Sequence, residues 1–503
     1  MVSLPPSLPI AVSLVLAFVA GAALVLAFAP FSWYPLAFLA LALFYLALRD
    51  RSPGGAFVVG WAFGLGLMGF GVSWVRISLN EFGNMDPGIA NLLTALFVAA
   101  MALYYGIAGW LIHRLDRGPV WVGPLLVLPG VWVLVEWLRG WLFTGFPWLT
   151  IGYSQIDSPL AGFAPVAGVH GVSLVVAIGA GLLWGLMAWT RRSRIVAALG
   201  LGGVFLAGAG LAQFDWTRPA GAPLRASVLQ ANIPQSIKWD EAARLPTIEA
   251  YLQLTRDHLD SDVLVWPETA LPDFLHRLRA PIIDPLSTLA NERGIGIVFG
   301  IPTTSEDGEP RYHNSLVSIG GSEDVYHKRH LVPFGEYLPF RRWLGPVVEW
   351  FDVPMSDFSP GQMVRPLLSV NGQSVGVSIC YEIAFPAEVI EALPDAVYLI
   401  TVSNDAWFGD SLAPHQHLEI ARMRALETGR PLLRATNTGI SAIIDDRGRL
   451  GGAVPLFERG AFSAEIHPRS GATPFVTLGN ALAIGLATAL LLAGGVLSLR
   501  RRN

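Results

Sequence analysis

The stretch Ser374-Val-Gly-Val-Ser-Ile-Cys380-Tyr-Glu382 has the pattern of a buried β-strand that ends in reactive side chains. It is apolar and β-branched up to Ile379, which is typical of a strand that delivers a side chain at its carboxyl end. Cys380 is the only cysteine in 503 residues, so it forms no intramolecular disulfide and no cysteine-based metal site alone. It is either a core residue or a nucleophile. The stretch alone favours the core residue, because free cysteine packs well as a small apolar side chain.

The composition of the chain points to the membrane. Hydrophobic residues make up 53% and charged residues 14%, with a mean hydropathy of +0.49, whereas soluble proteins carry about 25% charged residues. The apolar excess fills residues 8–213 and 475–499, while 214–474 has the composition of a globular domain. We therefore expect three regions, 1–213, 214–474 and 475–503. The net charge of −4 gives no reason to expect a nucleic-acid partner.

Eight apolar segments approach the roughly 20 residues that a helix needs to cross a bilayer, some of them marginally. They are residues 8–28, 31–48, 55–78, 88–112, 119–138, 166–190, 194–213 and 475–499. The third segment contains Gly60, Gly64 and Gly66, and small residues of this kind allow helices to approach closely.

The arginines predict how the helices are oriented. Alternate connections carry ten arginines, whereas the opposite connections before residue 214 carry only Arg76 and Arg139. Because basic residues favour the cytoplasmic side, both termini are expected in the cytoplasm. Seven spans then place residues 214–474 on the far side of the membrane, which is the periplasm in a Gram-negative cell.

The globular region alternates strands with helices. Strands are predicted at 224–232, 262–266, 296–301, 396–403, 431–436, 439–445 and 461–466, and helices around 240–259, 283–292, 384–393 and 411–428. Residues 313–319 and 324–328 form a predicted hairpin joined by Gly320-Gly321. The pattern favours an α/β domain with layered sheets.

Three strand ends deliver Glu268, Lys328 and Cys380. The chain has only two lysines, Lys238 and Lys328, and otherwise uses arginine, so a lysine in an apolar context suggests a need for a compact ammonium. A thiol, a carboxylate and an ammonium suit acyl transfer, because the carboxylate can accept the thiol proton and the ammonium can stabilise an oxyanion. The sequence alone does not establish that the three converge.

Three motifs in this order resemble the nitrilase superfamily: Trp266-Pro-Glu268, Tyr326-His-Lys328-Arg-His-Leu-Val-Pro-Phe-Gly-Glu336 and Cys380-Tyr-Glu382. The Leu-Val-Pro-Phe-Gly-Glu run and the eight-span frame resemble its membrane-bound branch, the apolipoprotein N-acyltransferases, over essentially the whole chain. The resemblance implies a polytopic α-helical membrane bundle with eight transmembrane helices. It also implies an α/β nitrilase-like periplasmic domain, an αββα sandwich.

The resemblance also implies an activity. The family transfers an acyl chain from the sn-1 position of a phospholipid, preferably phosphatidylethanolamine, to the N-terminal amine of the diacylglyceryl cysteine of an apolipoprotein. By this resemblance Cys380 is the nucleophile, Glu268 the general base and Lys328 the oxyanion stabiliser. The reaction is then ping-pong through a thioester, the last step of lipoprotein maturation, with no metal and no soluble cofactor. We expect a monomer in the bacterial inner membrane.

Four further residues are candidates for support or substrate binding. Glu336 is expected to hold Lys328 or the backbone near it, with a structural role and a proton-carrying role both open. The backbone N–H of Tyr381 is a natural oxyanion donor, and Glu382 could orient its neighbours or the amine. Trp239 either flanks the pocket or serves packing.

Several alternatives stay open at this point. The triad would look the same in a membrane-tethered hydrolase that uses water in place of the amine. A transporter or scaffold is disfavoured because the spans are largely uncharged at mid-depth. The aromatic loop 140–153 is either an interfacial anchor or part of a lipid-access wall, and the Trp-rich excursion 343–358 either guides acyl chains or caps the domain. The histidines lack a third nearby ligand in sequence, so a metal site is not expected; they are His327, His330, His415 and His417.

Overall fold

A computed structural model of the chain describes residues 8–305, 311–339, 342 and 357–500. The chain divides into two compact units. The first is formed by the chain up to Arg76, by Pro87–Asp215 and by the chain from Thr477 onward, and the second by Ile77–Asp86 together with Trp216–Val476. Most of the excursion at 343–358 lies outside the described residues, so the roles considered for it stay predictions.

The first unit is built from apolar helices at the predicted positions. These are Ile10–Leu24, Pro35–Leu48, Pro53–Gly71, Pro87–Leu115, Leu128–Arg139, Ala164–Ala188, Arg191–Leu211 and Ala481–Arg500. Within the described residues, six segments are long and apolar enough to cross a membrane. The other two are shorter, since Pro35–Leu48 has 14 residues and Leu128–Arg139 has 12. The count of eight spans therefore stays a prediction.

Glycines bring three of these helices together. A Cβ added to Gly66 would lie 2.1 Å from the carbonyl oxygen of Phe18, and one added to Gly60 would lie 2.2 Å from that of Tyr105. Because no side chain fits at these distances, the helix Pro53–Gly71 packs backbone against backbone, and the predicted close approach is confirmed.

The loop 140–153 divides its aromatic residues between surface and interior. Trp141 and Phe143 are exposed, whereas Trp148 is buried. The loop is tied to the preceding helix because Glu136 Oε1 accepts from the backbone N–H of Ile151 at 2.8 Å and Arg139 donates to the carbonyl oxygen of Phe146 at 2.6 Å.

The second unit contains two six-stranded sheets and one short ladder. Its strands are β1 (Arg218–Pro219), β2 (Leu224–Gln230), β3 (Val263–Val265), β4 (Gly296–Thr304), β5 (Tyr312–Ile319), β6 (Asp324–His327), β7 (Leu367–Val370), β8 (Gln373–Ile379), β9 (Leu399–Ser403), β10 (Leu432–Thr436), β11 (Ser441–Ile444), β12 (Leu450–Val454), β13 (Gly460–Ile466) and β14 (Arg469–Ser470). One sheet has the order β13-β2-β3-β4-β5-β6 and the other β12-β11-β10-β9-β8-β7, while β1 pairs with β14. The central pairs β2/β3, β3/β4, β8/β9 and β9/β10 are parallel.

Apolar side chains from both sheets form one core between them, including Val228 and Val265 of one sheet and Val377 and Ile400 of the other. The helices Glu241–Arg256 and Asp284–Arg293 cover the outer face of the first sheet, and the helix Ala413–Thr428 packs on the second. The result is the expected layered α/β sandwich.

The predicted hairpin is confirmed. β5 and β6 are antiparallel, with Ser318 opposite Asp324. Gly320 and Gly321 have φ of +98° and +80°, a region that favours glycine. A Cβ on Gly320 would also lie 2.0 Å from the carbonyl oxygen of Ile295.

The predicted helix around 384–393 is wrong in form. Only Pro386–Val389 is α-helical, and it lies between the 3₁₀ turns Cys380–Ala384 and Ile390–Ala392. Pro394 comes after Leu393, and because proline disfavours a helical conformation in the residue before it, no helix extends through Leu393.

The segment Ile77–Asp86 is part of the second unit although it lies between apolar helices in sequence. Ser78 Oγ donates to the carbonyl oxygen of Trp407 at 2.7 Å, and the ring of Phe82 lies 5.6 Å from that of Trp407.

Candidate active site

Cys380 lies where β8 ends and the chain turns into the 3₁₀ helix Cys380–Ala384. Its φ is +54°, in the left-handed region that side-chain-bearing residues rarely adopt and that is often found at functional sites. Burial raises the pKa of its thiol; Glu268 raises it further and Lys328 opposes the shift. The thiol is therefore protonated at neutral pH and needs a base before it can attack.

Glu268 follows β3 through Trp266 and Pro267 and is 7% exposed. Its Oε1 accepts from the side-chain amide of Asn314 at 2.7 Å, and its Oε2 accepts from the backbone N–H of Asn404 at 2.8 Å. Asn404 follows β9 in the second sheet, so this carboxylate is held by both sheets and has a fixed orientation.

Lys328 follows β6 and is 1% exposed. Its Nζ lies 2.8 Å from each carboxylate oxygen of Glu336 and 3.6 Å from Oε1 of Glu268. Burial alone would lower the pKa of Lys328, but Glu336, Glu268 and Cys380 raise it above its ordinary value. The side chain therefore stays an ammonium. The structure brings Glu268 and Lys328 together, and both act electrostatically on the Cys380 thiol.

Glu336 lies beside Lys328, as expected. Besides its ion pair with the ammonium, its Oε1 accepts from Asn314 at 3.1 Å and its Oε2 accepts from the backbone N–H of Val332 at 2.8 Å. Asn314 therefore links Glu336 to Glu268, and the two carboxylates are held on either side of one ammonium.

Both carboxylate oxygens of Glu382 accept hydrogen bonds from neighbouring residues. Its Oε1 accepts from the hydroxyl of Tyr326 at 2.9 Å and from the backbone N–H groups of Arg329 and His330 at 2.7 and 3.1 Å. Its Oε2 accepts from the backbone N–H of Ile379 at 2.7 Å. It thus ties the turn after Lys328 to the strand end before Cys380. Of the two roles considered for it, this geometry favours orienting its neighbours.

Tyr381 and Trp239 occupy different surroundings. The Tyr381 ring lies 5.0 Å from the ring of Phe385 and 5.7 Å from that of His330. Trp239 is 54% exposed. It lines a cavity of about 530 Å³ with Asp273 and Phe274 among others, and no triad residue is part of the described lining. The pocket-flanking role of Trp239 thus stays a prediction.

Sequence reasoning missed three residues that hold Glu268. Asn314 and Asn404 bind its carboxylate, and Lys238, which is 2% exposed, donates to the carbonyl oxygen of Glu268 at 3.3 Å and to Oγ1 of Thr269 at 2.7 Å. Burial lowers the pKa of Lys238 to about 8, against the opposing effect of Glu268. The position of Asn404 at a strand end was an available signal, and so was the scarcity of lysine in the chain for Lys238, although its place in a loop did not indicate burial.

Two of the histidines considered as metal ligands contact other protein groups. His327 lies 2.7 Å from Oγ of Ser315, and His330 lies 2.7 Å from a carboxylate oxygen of Glu388. Among the described residues, no group of three or more His, Cys, Asp or Glu side chains is arranged to hold a metal ion.

The chain matches two family models and is similar to known proteins over nearly its full length. Residues 20–182 match the family model of the apolipoprotein N-acyltransferase N-terminal domain, and residues 225–474 match that of carbon-nitrogen hydrolases. The apolipoprotein N-acyltransferase of Methylococcus capsulatus is 46% identical over 98% of this chain and 97% of its own length. That of Nitrosomonas europaea is 44% identical over 97% and 98%.

Among solved structures, Saccharomyces cerevisiae Nit3, a member of branch 10 of the nitrilase superfamily, is 20% identical over 49% of this chain and 91% of its own, with a TM-score of 0.38. The identity and the mutual coverage of the first two relatives settle the relationship. This chain belongs to the apolipoprotein N-acyltransferase family.

Proposed function

We propose that this enzyme transfers an acyl chain from the sn-1 position of a phospholipid to the N-terminal amine of the diacylglyceryl cysteine of an apolipoprotein. The observation that carries the proposal is the position of the only cysteine on a left-handed turn, where a buried carboxylate and a buried ammonium, 3.6 Å apart, both act electrostatically on its thiol. Membership of the acyltransferase family and the six long apolar helices of the described chain support a lipid substrate.

In the first half-reaction, Glu268 accepts the proton of the Cys380 thiol as the sulfur attacks the ester carbonyl carbon. The negative charge that develops on the carbonyl oxygen is stabilised by the ammonium of Lys328 and by the backbone N–H of Tyr381. When the tetrahedral intermediate collapses, the carbon–oxygen bond breaks and Glu268 returns the proton to the leaving alkoxide. A lysophospholipid leaves, and the acyl chain remains on Cys380 as a thioester.

In the second half-reaction, the amine of the apolipoprotein attacks the thioester carbonyl. Glu268 accepts a proton from the nitrogen, the carbon–sulfur bond breaks, and the proton passes to the departing thiolate of Cys380. The product is an amide, and the enzyme regains its starting state, which is ping-pong catalysis. These steps use only the chain's own groups and require no metal or soluble cofactor.

The remaining candidates have supporting roles. Glu336 positions Lys328, which its two short contacts support. Glu382 fixes the turn after Lys328 against the nucleophile strand, and the exposed Trp239 flanks the substrate pocket. Phosphatidylethanolamine is the proposed donor, and the enzyme acts as a monomer.

The setting of the reaction is the bacterial inner membrane. We place eight spans in the bilayer, in regions 1–213 and 475–503, with both termini in the cytoplasm. The catalytic region 214–474 then faces the periplasm, and the arginine distribution supports this orientation.

Intact mass spectrometry of the purified enzyme tests the chemistry. Wild type incubated with phospholipid is expected to gain the mass of one acyl chain, and a diacylated lipopeptide is expected to remove it. The Cys380→Ala variant is expected to gain none. An adduct that water alone discharges would favour the hydrolase, and the absence of any adduct would overturn the thioester mechanism.

A further inference from the structure

A buried histidine contacts the backbone of the nucleophile. Nε2 of His417, on the helix Ala413–Thr428, lies 3.2 Å from the carbonyl oxygen of Cys380. His417 is 1% exposed, and its Nδ1 lies 2.9 Å from Oδ1 of Asp405. None of the catalytic steps above uses this contact, and its position directly behind a strained turn calls for a function.

Asp405 is itself held from two sides. Its Oδ2 accepts from Nη2 of Arg434 at 2.6 Å, and its Oδ1 accepts from the hydroxyl of Ser403. Arg434 is anchored in turn, since its Nε donates to the carbonyl oxygen of Ile440 at 3.2 Å. Burial alone would raise the pKa of Asp405, but Arg434 and His417 lower it below its usual range. The carboxylate is therefore ionised and fixed in place.

The contacts define which nitrogen of His417 carries hydrogen. Nε2 faces a carbonyl oxygen, which accepts hydrogen bonds, so Nε2 is a donor. Nδ1 lies between an acceptor, the carboxylate of Asp405, and a donor, Nη2 of Arg434 at 3.2 Å. Nδ1 therefore has a partner in either protonation state, and Nε2 donates to Cys380 in both.

Fixing the carbonyl of Cys380 also fixes the N–H of Tyr381. The two groups belong to one planar trans peptide and point in opposite directions. Because the carbonyl of Cys380 points towards His417, the Tyr381 N–H points away from His417. Hydrogen bonds along such a chain also strengthen one another, so a donor to the carbonyl makes the N–H a better donor.

We propose that His417, held by Asp405 and Arg434, is a positioning residue that orients the Cys380–Tyr381 peptide so that its N–H forms the oxyanion hole. This inference rests on the proposed acyl transfer, because an oxyanion forms only during attack on a carbonyl. His417 touches no reacting atom, and its effect passes through the peptide.

Two isosteric variants of His417 separate its two contacts. The amide nitrogen of glutamine can take the place of Nε2, whereas that of asparagine can take the place of Nδ1. His417→Gln keeps a donor for the Cys380 carbonyl, and His417→Asn keeps only the contact to Asp405. His415→Asn is the matched control, since His415 lies on the same helix and has no contact with Cys380 among the described interactions.

The readouts are two reactions of the single thiol of full-length protein in detergent with phosphatidylethanolamine. Acylation builds an oxyanion, whereas alkylation by iodoacetamide does not. His417→Asn is expected to slow acylation about 10²-fold, the usual loss for one oxyanion donor, with KM within about threefold. Its alkylation rate should stay within about threefold of wild type, because the thiol itself is unchanged. His417→Gln should acylate within about tenfold of wild type, because it keeps the donor.

Other outcomes overturn the inference. If His417→Asn slows acylation and alkylation equally, His417 serves only the fold or the thiol; if neither rate changes, the contact has no function. If His417→Asn does not fold, Asp405→Asn takes its place, and it should also slow acylation more than alkylation. If wild type itself forms no thioester with phospholipid, the proposed function fails before this inference is reached.

Discussion

The two sheets of the sandwich contribute to the site in different ways. The sheet β13-β2-β3-β4-β5-β6, here the charged sheet, supplies Glu268 and Lys328, and the side chain of Asn314 links Glu268 to Glu336, the ion-pair partner of Lys328. The sheet β12-β11-β10-β9-β8-β7, here the thiol sheet, supplies Cys380 on a left-handed turn and the backbone N–H of Asn404. One sheet places charges through a side-chain network, and the other places the proposed nucleophile through backbone conformation. Changes in the two sheets should therefore have different consequences.

The largest expected effect lies in the charged sheet. Glu268→Gln should lower kcat about 10⁴-fold, because general acid–base transfer is lost. Glu336→Gln should lower kcat only about 10²-fold, because the amide still contacts Lys328 and only the positioning of an oxyanion stabiliser suffers. Lipopeptide N-acylation measured at saturating phospholipid separates the two. Equal losses would mean that Glu336 also carries a proton, and the distinction between the two carboxylates would be wrong.

A smaller effect is expected on the pKa of the Cys380 thiol, because this thiol of one sheet is influenced by charges of the other. Glu268 raises the pKa of Cys380 and Lys328 lowers it. At pH 8 the thiol is mainly protonated, so alkylation should accelerate as the pH rises. Glu268→Gln should alkylate faster than wild type and Lys328→Met more slowly, because loss of the carboxylate lowers the pKa of the thiol and loss of the ammonium raises it.

The opposite signs are the informative result of that experiment. Cys380 is the only cysteine, so the modified fraction can be read from intact mass without peptide mapping. If both variants changed alkylation in the same direction, accessibility rather than charge would control the thiol, and the charged sheet would not act on it electrostatically.

The smallest effect concerns Glu382, whose hydrogen bonds join the turn after Lys328 to the end of β8. Glu382→Gln places an NH₂ group among four donors and should lower the free energy of unfolding by about 3 kcal/mol, because buried donors lose their acceptor. Tyr326→Phe removes one of these donors cleanly and should cost about 1 kcal/mol. Thermal unfolding followed by loss of tertiary signal measures both. A Tyr326→Phe variant less stable than Glu382→Gln would contradict the central role of this carboxylate.

The sequence predicted the features that depend on local pattern. The strand that ends in Cys380, the hairpin 313–328 and most other strands follow from alternation and turn residues, and Glu268, Lys328 and Glu336 were found as motif residues. That these side chains lie close together could be seen only from the order of the strands in the sheets. β6 and β8 lie in different sheets, and no local sequence pattern indicates which strands face each other across the sandwich.

What the sequence did not predict depends on tertiary contacts. Asn314 lies within a buried strand and Lys238 in a loop, and neither differs locally from a structural residue. His417 was considered only as a metal ligand because its partners are far away in sequence, at Cys380, Asp405 and Arg434. The shortened helix Leu128–Arg139 has a clearer cause, as prolines at positions 124 and 129 remove backbone donors and give a π-helical turn, Gly123–Val127.

The segment Ile77–Asp86 makes the catalytic unit discontinuous along the gene. This segment contacts Trp407, which is synthesised much later. Several apolar helices leave the ribosome between the two. The unit can therefore be completed only after Val476 has been synthesised. A truncated version that starts at Trp216 would leave the surface around Trp407 uncovered, and adding back residues 77–86 as a peptide would be the natural way to restore it.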